Sequence, residues 1–151
     1  MPGTGKSSYA RWLAETHRFQ HVDVENDPDS LKSFSSSPSA FIAELLARPS
    51  PICFDWGFPP QCLALVRQFS DAGFDLWWFD ADVSGAKRYF MQRGTVSEAA
   101  FERQVSLIAA SRAEILQLFG AHILPVISPA NERMSNEQIY ATMFPDGDAG
   151  A

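Results

Sequence analysis

The sequence contains few of the residues that are typical of secreted, nucleic-acid-binding or membrane proteins. Its two cysteines, Cys53 and Cys62, are too few for a disulfide framework, which favours a reducing cytoplasm. Its 12 basic residues are outnumbered by 18 acidic ones, and this net charge of −6 argues against a nucleic-acid partner, which requires a basic face. No apolar run approaches the ~18 residues of a membrane span, and the N-terminus lacks the order of a signal peptide. We therefore expect a cytoplasmic protein with no membrane partner.

The overall composition is that of a globular protein. The chain has 151 residues, of which 46% are hydrophobic and 20% are charged, so it can bury a sizeable core. We expect one domain over residues 1–144 and a disordered tail over residues 145–151.

The first eight residues, MPGTGKSS, contain most of a phosphate-binding loop. Gly5, Lys6 and Ser7 supply the last three positions of the pattern G-x-x-x-x-G-K-[ST], whose first glycine would precede Met1. Gly3 and Gly5 allow positive φ angles, and the amides from Gly3 to Ser7 can surround a phosphate. In this pattern the lysine reaches the β- and γ-phosphates of a nucleotide, and the hydroxyl of Ser7 ligates Mg²⁺.

Helical and strand patterns alternate along the rest of the chain. Strands are predicted at 19–25, 51–56, 74–81 and 122–127, and helices at 7–18, 40–48, 60–72, 83–93, 97–119 and 135–143. The serine-rich segment 26–39 is predicted to be a loop, and Pro125 indicates that the last strand lies at an edge. This alternation predicts an α/β protein with a doubly wound parallel sheet and helices on both faces.

Six segments of the chain resemble, in order, parts of the P-loop NTPases. The chain is similar to an AAA-type ATP-binding protein of the branch that contains small-molecule and nucleotide kinases. PGTGKSS corresponds to the phosphate loop, FQHVDVE to the acid-ended second strand, and PICFDWGFPP to the Walker B strand. DLWWFDAD corresponds to the fourth strand, AKRYFMQRG to the arginine-bearing lid, and HILPVI to the final strand. The resemblance covers nearly all of residues 1–144, and the loop is its specific part.

The resemblance implies that the first strand, central between the third and the fourth, is missing. We therefore expect Met1 to be an internal position of a longer reading frame or a misplaced start.

The resemblance also implies roles for individual residues. Asp55 would hold Mg²⁺ together with Ser7, and Asp23 would accept the proton of the acceptor hydroxyl or bind the acceptor, with Glu25 as the alternative. Gly3, Thr4, Gly5, Lys6, Ser7 and Ser8 would bind the phosphates of ATP.

Basic residues near the predicted lid give a further expectation. Arg93, just before Gly94, would stabilise the transferred phosphoryl group, assisted by Lys87, Arg88 and Arg103. A solvent-exposed basic face is the simpler alternative. The three histidines, His17, His21 and His122, show no metal-ligand spacing and are interpreted as structural or surface residues.

The expected function is transfer of the γ-phosphoryl group of Mg·ATP to a small-molecule acceptor, with Lys6, Asp23 and Arg93 as the catalytic residues. The acceptor would lie near residues 26–48, with the serine-rich loop as its mobile cover. ATP hydrolysis, or nucleotide binding without catalysis by a scaffold or truncated fragment, are the alternatives. The sequence does not indicate the acceptor or the oligomeric state.

Overall fold

A computed structural model describes residues 1–92, 94 and 97–146 of the chain. Within these residues the protein is α/β, with eight α-helices and four short strands that alternate along the sequence. The elements are α1 (Lys6–His17), β1 (Gln20–Asp23), α2 (Pro28–Ser36), α3 (Pro38–Leu46), β2 (Ile52–Asp55), α4 (Leu63–Asp71), β3 (Trp78–Ala81), α5 (Val83–Met91), α6 (Glu98–Ala110), α7 (Arg112–Phe119), β4 (Ile123–Ile127) and α8 (Asn136–Met143). Two 3-10 turns, Pro60–Cys62 and Gly120–His122, precede α4 and β4.

The strands form two parallel pairs. β1 pairs with β2, with Gln20 opposite Ile52 and Asp23 opposite Asp55. β3 pairs with β4 from Trp78 opposite Ile123 onward, with an irregular register between Asp80 and Ala81. The predicted α/β class with parallel strands is confirmed, and the described strands form two two-stranded sheets where the sequence predicted one larger sheet.

The residue contacts divide the chain into two compact units. The β1–β2 unit contains Lys6–Gly57 and the segment that begins at Asn136. The β3–β4 unit contains Met1–Gly5 and Phe58–Ser135.

In the β1–β2 unit, α1 packs on both strands. Its buried face consists of Tyr9, Ala10 and Leu13, whose spacing matches the period of a helix. Leu13 and Leu45 of α3 are each 1% exposed. Burial of a leucine side chain stabilises a fold by about 1.5–3 kcal/mol, so these contacts hold α1 and α3 in the unit.

The serine-rich segment is helical, and the prediction of a loop there was wrong for α2. Asp27 caps this helix by accepting hydrogen bonds from the Asp29 amide at 3.2 Å and the Ser30 hydroxyl at 2.5 Å. Pro28 occupies the first turn, where its fixed φ favours a helix. Phe34 is buried and its ring lies 5.5 Å from that of Phe41. A cap and one buried aromatic residue therefore outweigh the serines, several of which face solvent.

In the β3–β4 unit, the single long helix predicted for residues 97–119 is divided into α6 and α7. Ser111, with φ −100° and ψ 12°, lies between them. Arg112, the first residue of α7, donates a hydrogen bond to Asp80 at the end of β3 at 2.8 Å. This ion pair joins the start of α7 to the end of β3. The core of this unit includes Phe90 and Phe101, with ring centroids 5.2 Å apart.

β4 pairs only with β3 among the described strands, as expected of an edge strand containing Pro125. A tight turn follows it, in which the Ser128 amide donates to the Glu132 carbonyl at 2.9 Å. The turn brings Arg133 back beside Ile127 in an antiparallel bridge. No helix in the described part of the chain is long and apolar enough to cross a membrane.

Candidate functional site

The segment before α1 has the backbone of a glycine-dependent loop. Gly3 and Gly5 have φ angles of +78° and +85°, on either side of the buried Thr4. A Cβ atom at Gly3 would lie 2.3 Å from the carbonyl oxygen of Ala86. The Thr4 hydroxyl donates to the carbonyl of Met1 at 2.8 Å, which closes the turn. Both the φ angles and the close approach therefore require glycine here.

Helix α1 begins directly after this loop. Lys6 and Ser7 are partly buried in its first turn, and Ser8 is exposed. The first amide groups of a helix have no partner within the helix, and they carry the positive end of its dipole. This helix is twelve residues long, so its first turn is complete. The amides at Lys6 to Ser8 are thus a suitable contact for an anion.

Asp55 lies at the carboxyl end of β2 with its side chain 6% exposed. No described residue donates a hydrogen bond to this carboxylate, and the imidazole of His21 faces it, with Nε2 3.8 Å from Oδ2. Carboxylates are rarely buried without donors or a cation, because desolvation is costly. Asp55 is therefore suited to hold a cation.

Asp23 and Glu25, the two alternatives for the acceptor residue, make different contacts. Asp23 Oδ1 accepts from the amides of Glu25 and Asn26 at 3.1 and 3.2 Å, and Oδ2 accepts from the Asn26 side chain at 2.8 Å. Glu25 Oε2 accepts from the Gly57 amide at 3.1 Å. Glu25 thus joins the segment after β1 to the segment after β2, whereas Asp23 remains beside Asp55.

The structure brings His21, Asp23 and Asp55 together. One ligand atom from each lies within 4.8 Å of the others. Alternation along β1 puts His21 and Asp23 on one face, and the parallel register puts Asp55 opposite Asp23. Spacing along the chain did not indicate His21 as a ligand. The combination of a two-residue separation from Asp23 and a neighbouring acid-ended strand is the signal that points to it.

Cys53 lies opposite His21 in the same strand pair. Burial raises the pKa of its thiol to about 12, and the negative charge of Asp55 contributes to the shift. The protonated thiol is a poor nucleophile and a poor metal ligand at neutral pH. Cys53 is therefore a packing residue in this pair.

Three of the predicted lid residues, Lys87, Arg88 and Arg103, belong to the β3–β4 unit, and the fourth, Arg93, lies outside the described residues. Lys87 forms ion pairs with Glu98 and, at 3.2 Å, with Glu102. The hydrogen bond that Lys87 donates to Glu98 is the main cause that raises the pKa of Lys87. Arg88 Nη1 donates a hydrogen bond of 2.9 Å to the side-chain oxygen of Asn131 when the Asn131 amide is oriented with its oxygen toward Arg88. Arg103 is exposed on α6.

Arg133 is a basic residue near the loop that the sequence did not indicate. Its guanidinium lies against Gly5, where a Cβ atom would be 1.7 Å from Nη2. The same group lies over the ring of Tyr89, with Cζ 5.5 Å from the centroid. Only the turn after β4 brings Arg133 to Gly5, so no local pattern could have revealed the contact.

No family model matches the chain, and no curated protein is significantly similar to it in sequence.

Proposed function

We propose that the protein binds Mg·ATP through Gly3–Ser8 and transfers the γ-phosphoryl group to a small-molecule acceptor. One observation carries this proposal: two glycines with positive φ angles enclose a buried threonine immediately before a helix that begins with Lys6 and Ser7. Such backbone exposes amides to an anion, and the dipole of the helix favours its negative charge.

Lys6 would contact the β- and γ-phosphates, and Arg133 would add a second positive charge beside Gly5. The position of the Arg133 guanidinium against Gly5 supports this role. Arg93 remains the proposed residue for stabilising the transferred group. Lys87, Arg88 and Arg103 are proposed as its helpers, although Lys87 has two glutamate partners in this structure.

The residues present fit a magnesium ion, because Asp55 is a buried carboxylate without a hydrogen-bond donor among the described residues. Ser7 and Asp55, both in the β1–β2 unit, would hold it, and the ion would neutralise phosphate charge. Asp23 would accept the proton of the acceptor hydroxyl. The acceptor oxygen then bonds to the γ-phosphorus, the bond from that phosphorus to the bridging oxygen breaks, and ADP leaves.

The strand pairing supports the finer arrangement that we propose, a doubly wound sheet of the P-loop kinase type. Both described strand pairs are parallel, and helices connect the strands within each pair, as a doubly wound sheet requires. We also propose that the protein acts in the cytoplasm, in keeping with its low cysteine content.

Measurement of Mg·ATP affinity in Lys6→Ala tests the proposal. Loss of hydrogen bonds to a charged group costs about 1.5–3 kcal/mol, so affinity should fall about ten- to a hundredfold. Lys32→Ala removes an exposed lysine from α2 and is the matched control, expected to bind normally. Unchanged affinity in Lys6→Ala would remove the phosphate loop from the proposal.

Product analysis then separates transfer from its alternatives. Incubation with γ-labelled ATP and a panel of small hydroxyl and phosphate compounds should yield a labelled acceptor that is absent in Asp23→Asn. Label recovered only as free phosphate would instead establish a hydrolase. Binding without either product would establish a non-catalytic nucleotide-binding protein.

A further inference from the structure

We propose that His21, Asp23 and Asp55 form a binding site for a divalent transition-metal ion, such as Zn²⁺ or Mn²⁺, in the absence of nucleotide. The three side chains lie at the carboxyl ends of β1 and β2, within the β1–β2 unit. This inference shares Asp23 and Asp55 with the proposed nucleotide site but requires neither ATP nor Lys6.

The spacing of the ligand atoms suits a metal better than a direct hydrogen bond. His21 Nε2 and Asp55 Oδ2 are 3.8 Å apart, whereas a hydrogen bond between such atoms is about 2.7–3.2 Å long. A tetrahedral ion with ligand bonds of about 2.0–2.2 Å spaces its ligand atoms roughly 3.3–3.6 Å apart. Only small side-chain movements therefore bring His21 and Asp55 to one ion.

One ligand atom is fully buried without a hydrogen-bond partner, and it faces a carboxylate that is itself nearly buried. Nε2 of His21 is inaccessible and has no partner among the described residues. The side chain of Asp55 is 6% exposed, and no described residue donates to it. Buried polar atoms are nearly always paired, so an unpaired imidazole nitrogen that lies 3.8 Å from a carboxylate oxygen points to a shared ligand. A cation satisfies both at once.

Asp23 retains capacity for a metal despite its local hydrogen bonds. An ionised carboxylate offers about four acceptor positions. Asp23 uses three of them, for the amides of Glu25 and Asn26 and for the Asn26 side chain. These bonds also fix the orientation of the carboxylate, as outer contacts commonly do for metal ligands. One position remains for the ion.

The imidazole determines which metals the site prefers. Mg²⁺ takes oxygen ligands and keeps several waters, whereas an imidazole with two carboxylates suits Zn²⁺ or Mn²⁺. His21 supplies the nitrogen, since its Nε2 is the ring atom that faces Asp55. The site therefore discriminates against Mg²⁺ through a residue that the proposed phosphate chemistry does not use.

Equilibrium dialysis tests this proposal, with Zn²⁺, Mn²⁺ or Mg²⁺ added singly to untagged protein without nucleotide. Co²⁺ can replace these ions in a second measurement, because bound Co²⁺ has a visible absorption spectrum. We expect one ion per chain and preference for Zn²⁺ or Mn²⁺ over Mg²⁺. Mutation of residues that only hold metal ligands in place typically lowers metal affinity about ten- to a hundredfold. Replacement of a ligand itself, in His21→Ala or Asp55→Asn, should therefore lower metal affinity at least tenfold. His122→Ala, in the β3–β4 unit, should bind normally.

Two further measurements keep this inference separate from the proposed function. Circular dichroism of metal-free variants verifies that they are folded, and His21→Gln provides a second, polar replacement. Lys6→Ala should lose nucleotide affinity and retain metal affinity. The proposal is overturned if the Zn²⁺ and Mn²⁺ affinities are unchanged in both His21 variants. It is also overturned if the wild-type protein shows no saturable metal binding, and both results count whether or not ATP binds.

Discussion

Arg112 and Asp80 are joined by a 2.8 Å hydrogen bond between oppositely charged groups, which links the start of α7 to the end of β3. Asp80 also accepts from the indole nitrogen of Trp78 at 3.3 Å. The carboxylate is thus shared by a strand residue and a helix residue. It lies at the junction where the predicted single helix is divided.

Arg112→Ala should lower the free energy of unfolding by about 0.5–1 kcal/mol. The value is small because the Arg112 side chain is 40% exposed, and solvent screens such pairs. Chemical denaturation followed by circular dichroism measures the change, and Arg67→Ala on the exposed face of α4 is the control. An equal loss in the two variants would contradict a specific role for the ion pair.

Alanine at three glycines should destabilise the protein in a defined order. Gly73 has a φ of +94° and open space around it, so Gly73→Ala measures the backbone cost alone, about 1–2 kcal/mol. Gly5→Ala should cost more, because it also displaces the flexible Arg133 guanidinium. Gly3→Ala should cost most, since it meets the fixed carbonyl of Ala86. Thermal unfolding of the three variants checks the order.

A double variant isolates the contribution of Arg133 to this order. Arg133→Ala combined with Gly5→Ala should reduce the cost of the glycine replacement to that of Gly73→Ala, because only the backbone term remains. If the excess persists without the guanidinium, another neighbour of Gly5 is responsible.

Asp82 should stabilise the protein in a pH-dependent way. Its Oδ1 caps α5 by accepting from the amides of Ser84 and Gly85 at 3.0 and 3.1 Å. The hydrogen bond from the Ser84 hydroxyl is the main cause that lowers the pKa of Asp82 below its ordinary value. The stabilisation is therefore present above the unfolded pKa of about 3.9 and is lost as pH falls through the lower folded value.

Asp82→Ala should accordingly lower the free energy of unfolding at pH 7, and the difference from wild type should shrink in acid. Denaturation curves between pH 7 and pH 3 measure it. Asp75→Ala replaces an exposed aspartate outside any helix or strand and should show no such dependence. A difference that stays constant with pH would mean that the charge of Asp82 is not involved.

The two cysteines should differ in reactivity. With a pKa of about 12, on the order of one Cys53 thiol in ten thousand is ionised at pH 8, and the thiolate is the reactive form. Iodoacetamide should therefore modify Cys53 slowly until the protein unfolds. Mass spectrometry of Cys62→Ser, in which Cys53 alone remains, measures its rate, and Cys53→Ser is the matched variant. Rapid modification of folded Cys62→Ser would contradict a desolvated thiol.

Local sequence patterns predicted most helices and strands. The glycines before Lys6, the buried face of Ala10 and Leu13, and the cap at Ser97 each act within a few residues, and the structure confirms the helices they indicate. The strand positions at Asp23 and Asp55 were also correct to within a few residues.

Longer-range contacts account for the differences. The helix after Asp27 depends on Phe34 packing against Phe41, which composition alone did not reveal. Arg112, directly after the division at Ser111, donates a hydrogen bond to Asp80, which lies far from it in sequence. The same limit applies to the candidate site: Asp23 and Asp55 were identified as strand-end acids, but their meeting with His21 required the register of β1 and β2.

The two parallel strand pairs also have a kinetic consequence. Gln20 pairs with Ile52, a separation of 52 − 20 = 32 residues, and Trp78 pairs with Ile123, a separation of 123 − 78 = 45 residues. Loops of this length must close before either pair gains a hydrogen bond, whereas helices form from neighbours on submicrosecond to microsecond timescales. During refolding, helical content should therefore rise first, and the meeting of distant strands should set the rate at which the native protein appears.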